Sequence, residues 1–146
     1  MPIAITPEIK DMVNNALASG HPLVLAVVSP DNKPLVSFRG STQVFSDSSL
    51  AVWVRAGSGS TLDAIKKNPH VAMIYRSATT PMIKFEGRAR VATSEAEKNK
   101  VFENSPQVEQ GRDPERTGTP VIIDLDSVSG VLRFGASGPE FVKMER

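Results

Sequence analysis

The stretch Leu50–Tyr75, LAVWVRAGSGSTLDAIKKNPHVAMIY, changes its periodicity twice, and those changes decide the architecture. Leu50, Val52 and Val54 alternate with Ala51, Trp53 and Arg55, which is the period of two of a strand whose faces both meet something. The alternation stops at Gly57. Gly57-Ser58-Gly59-Ser60-Thr61 joins two residues that tolerate positive φ to three hydroxyls, and it runs into Leu62-Asp63-Ala64-Ile65-Lys66-Lys67. There Leu62 and Ile65 sit three apart on one helical face. Asn68-Pro69 closes that helix, and Val71-Ala72-Met73-Ile74-Tyr75 returns to strand. The stretch therefore reads as strand, glycine-serine loop, short helix, strand.

Two uses of the loop stand side by side. Backbone N–H groups at a helix start, with hydroxyls beside them and Arg55 just upstream, offer oriented donors and a compensating charge to an anion such as a phosphate. The same Ser, Thr and Gly residues are also ordinary capping chemistry. The loop follows none of the common nucleotide motifs: the position of a third glycine after Gly57-x-Gly59 is Leu62, and the chain contains no Gly-Lys-Ser/Thr. Nor does it contain a Gly-x-Ser-x-Gly elbow.

Composition bounds the rest. A chain of 146 residues that is 40% apolar is expected to form one domain, residues 1–146, with a core that needs no staples. It has no cysteine, which excludes disulfides, thiolate chemistry and Cys-based zinc or iron–sulfur sites. With 17 Lys+Arg against 16 Asp+Glu the net charge is +1, so no overall field drives the chain toward nucleic acid or an anionic membrane. The start MPIAITPEIK lacks a basic region followed by an apolar run, and the longest apolar stretch, Pro22 to Val28, is far too short to span a bilayer. A soluble, cytoplasmic protein is expected.

Working outward, Thr6-Pro7-Glu8 opens a helix, with Thr6 as cap, Pro7 where a missing N–H costs nothing, and Glu8 at the positive end of the dipole. Ile9, Met12, Val13, Ala16 and Leu17 make its apolar stripe, and Ser19-Gly20 ends it. Leu23 to Val28 is a strand joined through the turn Ser29 to Pro34 to a second strand, Leu35 to Gly40. Ser41 to Phe45 is either that strand carried through a bend at Gly40 or a further one. Ser37, Arg39, Ser41 and Gln43 share a face, which reads either as plain solvent or as a ligand surface.

Met82 to Thr93 is a long strand with a bulge or close approach at Gly87. Ser94-Glu95-Ala96-Glu97 is a capping box for a helix lasting to about Asn104. The polar run Ser105 to Thr119, rich in Gly, Pro and charge, reads as a functional or partner-covering loop, or a mobile one. Val121 to Leu125 and Val128 to Phe134 supply two last strands, and Gly135 to Arg146 a surface tail. Six to eight short strands with few helices predict a mainly β (α+β) fold, a small antiparallel barrel with peripheral helices.

Catalytic constellations are thin. His21 and His70 lack ligand spacing, no triad can be read among the serines, and the carboxylates lie in caps and turns. An enzyme built this way leaves its chemistry to a cofactor.

An N-terminal helix, two strands, a strand ending in Ser58 to Thr61, a short helix finishing in Asn68-Pro69-His70-Val71, and a strand carrying Lys84-Phe85-Glu86-Gly87-Arg88-Ala89: in order and spacing these resemble the pyridoxamine 5′-phosphate oxidase-like family of FMN-binding split β-barrels. The resemblance runs from about Thr6 to Phe134. It implies a flavoprotein oxidoreductase that is a homodimer, with FMN at the subunit interface and a small-molecule substrate. The phosphate would be held by Arg55, Ser58, Gly59, Ser60 and Thr61. The flavin edge would lie along Ser37, Phe38, Arg39, Gly40 and Ser41, with Lys84 from the long strand and the remainder from the partner chain. Family members often carry basic residues where this chain has Ser60-Thr61, so the charge falls to Arg55 or Arg39. The tryptophan and histidine that bind pyridoxamine phosphate in true oxidases have no match after Pro120, so vitamin B6 oxidation is not expected. Deazaflavin F420 in the same fold, or a flavin-binding module without catalysis, are the alternatives.

Overall fold

Thr6 accepts the Ile9 backbone N–H at 3.3 Å and Pro7 takes the first position of helix α1 (Pro7–Asn14), as the cap pattern requires. The computed structural model describes residues 1–146. Regular helix stops at Asn14, six residues short of Gly20, yet the helical run closes where expected. Gly20 has φ 82°, its N–H donates to Leu17 C=O, and the His21 N–H reaches back to Ala16 C=O at 2.8 Å, the paired bonds of a Schellman cap.

Strands β1 (Leu23–Val28) and β2 (Pro34–Arg39) form the expected hairpin, and β3 (Gln43–Ser46) is a separate strand. Next come β4 (Ser49–Val54), α2 (Ser60–Lys67), β5 (His70–Tyr75), β6 (Met82–Val91), α3 (Glu95–Glu103), α4 (Gln107–Gln110), β7 (Thr119–Gly135) and β8 (Gly138–Glu145). All pairings are antiparallel, in the order β2-β1-β5-β6-β7-β4-β3, with β8 on β7. This is an eight-stranded split β-barrel with peripheral helices.

The two faces of β4 explain why its residues 50–54 are all apolar. Leu50, Val52 and Val54 enter the main core, while Ala51 and Trp53 enter a second cluster with Val101 and Phe102 of α3 and Ile122 of β7. Trp53 and Phe102 meet edge to face, with centroids 5.0 Å apart.

Three expectations are corrected. Val121 to Phe134 is one strand, not two: β7 bonds β4 with its first half and β8 with its second, and its polar centre is a bulge in which Asp126 stands unpaired between Leu125 and Ser127 opposite Gly87 and Glu86. Asp126 faces Arg88 and Arg146, so a charged residue there continues the strand instead of ending it. Gly87 is obligatory at this bulge, because a Cβ would lie 2.3 Å from the Asp124 carbonyl. Second, the tail 135–146 does stay at the surface except for the buried Met144, but it is a strand after a two-residue turn, paired to β7. Third, β2 is inverted relative to a solvated polar face: Ser41 and Gln43 just beyond it are buried, while Val36 and Phe38 are 71% and 72% exposed.

Candidate functional site

The site forms where β4 runs out. After Val54 the chain crosses 55–59 and enters α2 with Gly59 as N-cap at φ 135°, a position that carries no side chain and makes no capping bond. The hydroxyls of Ser60 and Thr61 are therefore not committed to the helix end, and the free N–H groups and dipole of its first turn face the loop.

Thr61 is engaged from another element. Its Oγ1 lies 2.7 Å from Nη2 of Arg39, which comes from the end of β2. The Nε of Arg39 is buried with no hydrogen-bond partner. Burial, together with the charge of Arg55, lowers the Arg39 guanidinium from its ordinary value. Arg88, Arg90, Arg112, Arg116, Arg133 and Arg146 all have carboxylate partners; Arg39, Arg55 and Arg76 have none, and of these three only Arg39 and Arg55 stand at the cavity. Two neighbouring guanidiniums, an unmet buried donor and the Ser58 and Ser60 hydroxyls at a helix start have the chemistry that suits an anion.

These groups open into a cavity of about 510 Å³. Of the residues picked from the sequence, Phe38, Arg39, Gly40, Ser41, Arg55, Ser58, Gly59, Ser60 and Thr61 line it, and Ser37 and Lys84 do not. Ser41 contributes through its position only, because its hydroxyl accepts the Trp53 N–H at 2.8 Å and donates to the Trp53 carbonyl at 3.1 Å. Lys84 pairs with Glu86 at 3.3 Å and lies in the row Phe38–Val24–Ile74–Lys84, three strands from Phe38 on the outward face. That is roughly 14 Å away at ordinary strand spacing.

Sequence reasoning missed Leu17, Trp53, Glu109 and Arg112 as lining residues. The last two come from the connection 105–118, whose density of Gly, Pro and charge was the available signal. That connection is pinned, not loose: Glu109 and Asp113 are buried, and Arg112 meets Glu109 at 3.2 Å. Neither histidine lines the cavity, and no group of three or more His, Cys, Asp or Glu residues is placed to hold a metal. No helix is long and apolar enough to cross a membrane.

The sequence profile of the pyridoxamine 5′-phosphate oxidase family matches residues 5–122. No curated protein sequence matches the chain. Among solved structures the chain is similar to the HupZ protein of Group A Streptococcus, at 22% identity over 93% of this chain and 98% of that one, with a TM-score of 0.65. It is also similar to General Stress Protein 26 of Bacillus anthracis, at 22% identity over 94% and 99%, TM-score 0.63. An FMN-binding protein of Syntrophomonas wolfei matches at 6% identity over 83% and 84%, TM-score 0.60. At these identities the likeness is one of fold.

Proposed function

The chain belongs to the pyridoxamine 5′-phosphate oxidase family, and from that premise we propose that it is an FMN-binding oxidoreductase acting on a small molecule. The observation that carries this reading is the unpartnered Arg39 Nε beside Thr61, with Arg55 close enough to repel it. A phosphate seated among Arg39, Arg55, Ser58, Ser60, Thr61 and the first turn of α2 would remove the repulsion and meet the orphaned donor. The exposed Phe38 and the backbone of Gly40 and Ser41 are available to the ring system. A cavity of about 510 Å³ lies within the usual range for such ligands. Bound flavin supplies hydride and electron transfer; the chain's own residues bind it, orient it and keep water from its edge.

The reading includes a homodimer. Phe38, Ile74, Met82 and Phe141 share the outward face of β2, β5, β6 and β8 and are exposed. An isologous contact over this face would bury well over ~1,000 Å². It would also bring Lys84, which lies on that face, toward a partner's cavity; Ser37 alternates with Phe38 and points to the other face of β2. The absence of cysteine is consistent with a cytoplasmic setting.

The test is the visible spectrum of the purified protein, followed by FMN and riboflavin titrations of the wild type and of Arg55→Ala. The substitution removes a charge-assisted contact and is expected to weaken FMN roughly ten- to hundredfold while leaving riboflavin nearly unchanged. A wild type with equal affinity for both flavins places the phosphate elsewhere. A colourless protein that takes up only F420 replaces FMN with the deazaflavin.

A further inference from the structure

Asp113 stands on the connection between α4 and β7 and is 6% exposed. Four donors converge on its carboxylate. Oδ2 accepts the Trp53 indole N–H at 2.9 Å and the Gly118 N–H at 2.8 Å; Oδ1 accepts the Thr117 N–H at 3.0 Å and the Thr117 hydroxyl at 2.9 Å. The turn it closes contains Arg116 at φ 56°, a conformation a non-glycine residue holds only when its surroundings enforce it. Gly118 is packed so closely beneath that a Cβ would sit 2.5 Å from the Val54 carbonyl and 2.6 Å from Trp53 Nε1.

Both bodies that Asp113 joins belong to the cavity. Trp53 lines it from β4, and Glu109 and Arg112 line it from the connection. Glu109 presses against the end of β2, where a Cβ on Gly40 would meet its Oε1 at 2.8 Å. The other ties of the connection run mainly to α3: Arg116 donates to Asn99 at 3.1 Å, pairs with Glu103 at 3.6 Å and lies over the Phe102 ring, and Ser105 and Gln110 bond back to α3 and to the connection itself. Gln43 donates to Ser105 at 3.3 Å; the Asp113 side chain is what ties the connection to Trp53 of β4.

We propose that Asp113 is a positioning residue for the ligand: by clamping the 105–118 connection to Trp53 it sets Glu109 and Arg112 as a wall of the cavity, so that ligand affinity depends on it. The proposal rests on the flavin reading of the cavity. Asp113 touches no ligand itself; it raises the fraction of molecules whose wall is in place. If that fraction falls to about a tenth, the apparent affinity falls about tenfold.

The experiment compares the wild type, Asp113→Asn and the milder Thr117→Val, each shown folded by a thermal melt and measured well below its transition. FMN titration, followed by quenching of Trp53, the chain's single tryptophan, is expected to give about tenfold weaker binding for Asp113→Asn and a smaller loss for Thr117→Val. The preference for FMN over riboflavin should persist, because the phosphate end is untouched. Hydrogen exchange without ligand should show residues 105–118 losing protection while the sheet keeps its own, with FMN restoring part of it. Should Asp113→Asn fail to fold, Thr117→Val carries both measurements. A folded variant with unchanged FMN affinity overturns the proposal and leaves the flavin reading intact. A wild type that binds no flavin overturns the flavin reading, and unchanged exchange at 105–118 then overturns the clamp as well.

Discussion

Arg39 and Thr61 are joined across the mouth of the cavity: Nη2 at the end of β2 lies 2.7 Å from Oγ1 in the first turn of α2. The bond fixes one arm of the guanidinium and leaves Nε, buried, without a partner. Arg39→Ala is expected to weaken FMN ten- to hundredfold, as for a charged contact, and Thr61→Val by less than about tenfold, as for a neutral one. Calorimetric titration against FMN and riboflavin checks the order; a larger loss for Thr61→Val would mean that Arg39 is not the phosphate's charge.

Two serines at helix starts are expected to behave differently. Ser94 caps α3, accepting the Glu97 N–H at 3.1 Å and approaching its carboxylate, so Ser94→Ala should cost about 1 kcal/mol. Ser60 begins α2 without capping it, and Ser60→Ala should stay within about 0.5 kcal/mol. Urea unfolding of both variants separates them, and a Ser60 cost equal to that of Ser94 would restore the capping reading of the loop.

Gly87→Ala should be among the most damaging single-methyl changes in the chain. The added carbon meets a backbone carbonyl at 2.3 Å, which cannot yield as a flexible side chain does. Overpacking of this kind costs about 1–3 kcal/mol or more, and the two central strands β6 and β7 would have to part locally. A thermal melt within a degree or two of wild type would show that the bulge can relax.

The acid limb of stability should carry the signature of Asp113. Burial works against its charge, and the donors from Thr117, Trp53 and Gly118 more than offset that, lowering the carboxyl from 3.8 to about 2. A depressed folded value means stability that is present above the unfolded value and lost as pH falls from about 3.8 through about 2. Asp113→Asn, which cannot titrate, should be less stable at neutral pH and should lose less than wild type across that interval. Melts from pH 5 to pH 2 make the comparison, and parallel curves would assign the acid limb to other carboxylates.

The exposed face of β2 makes a prediction about assembly. Val36 and Phe38 turn outward at 71% and 72% exposure, so Phe38→Asp should place a charge in the proposed interface. Light scattering is expected to show a dimer for wild type and a monomer for the variant at micromolar concentration. A monomeric wild type would remove the dimer from the proposal.

Features whose cause is local were legible without the structure. The period-two run of β4, the helix α2 closed by Asn68-Pro69, the Thr6 and Ser94 caps and the β1–β2 hairpin each depend on neighbours a few residues away. Even the need for a bulge at Gly87 showed as a glycine interrupting a strand pattern. The loop 57–61 was recognisable as an anion site or a cap, and its nearness to Arg55 was plain. That Arg39 would cross to Thr61 was not, because the two are separated by β3 and β4.

Tertiary structure alone decided which face of β2 and its extension points inward, and it chose the polar one. Ser41 can be buried because it bonds both backbone groups of Trp53, and the Gln43 amide nitrogen because it donates to the Val101 carbonyl at 2.8 Å, partners that no local pattern announces, although Gln43 Oε1 stays unpartnered. The same holds for β7, which crosses Asp126 because Arg88 and Arg146 neutralise it, and for the connection 105–118, held by a carboxylate whose partner Trp53 is 60 residues away. A side chain's own chemistry sets what it costs to bury. Whether it is buried depends on the groups that the rest of the fold brings to meet it.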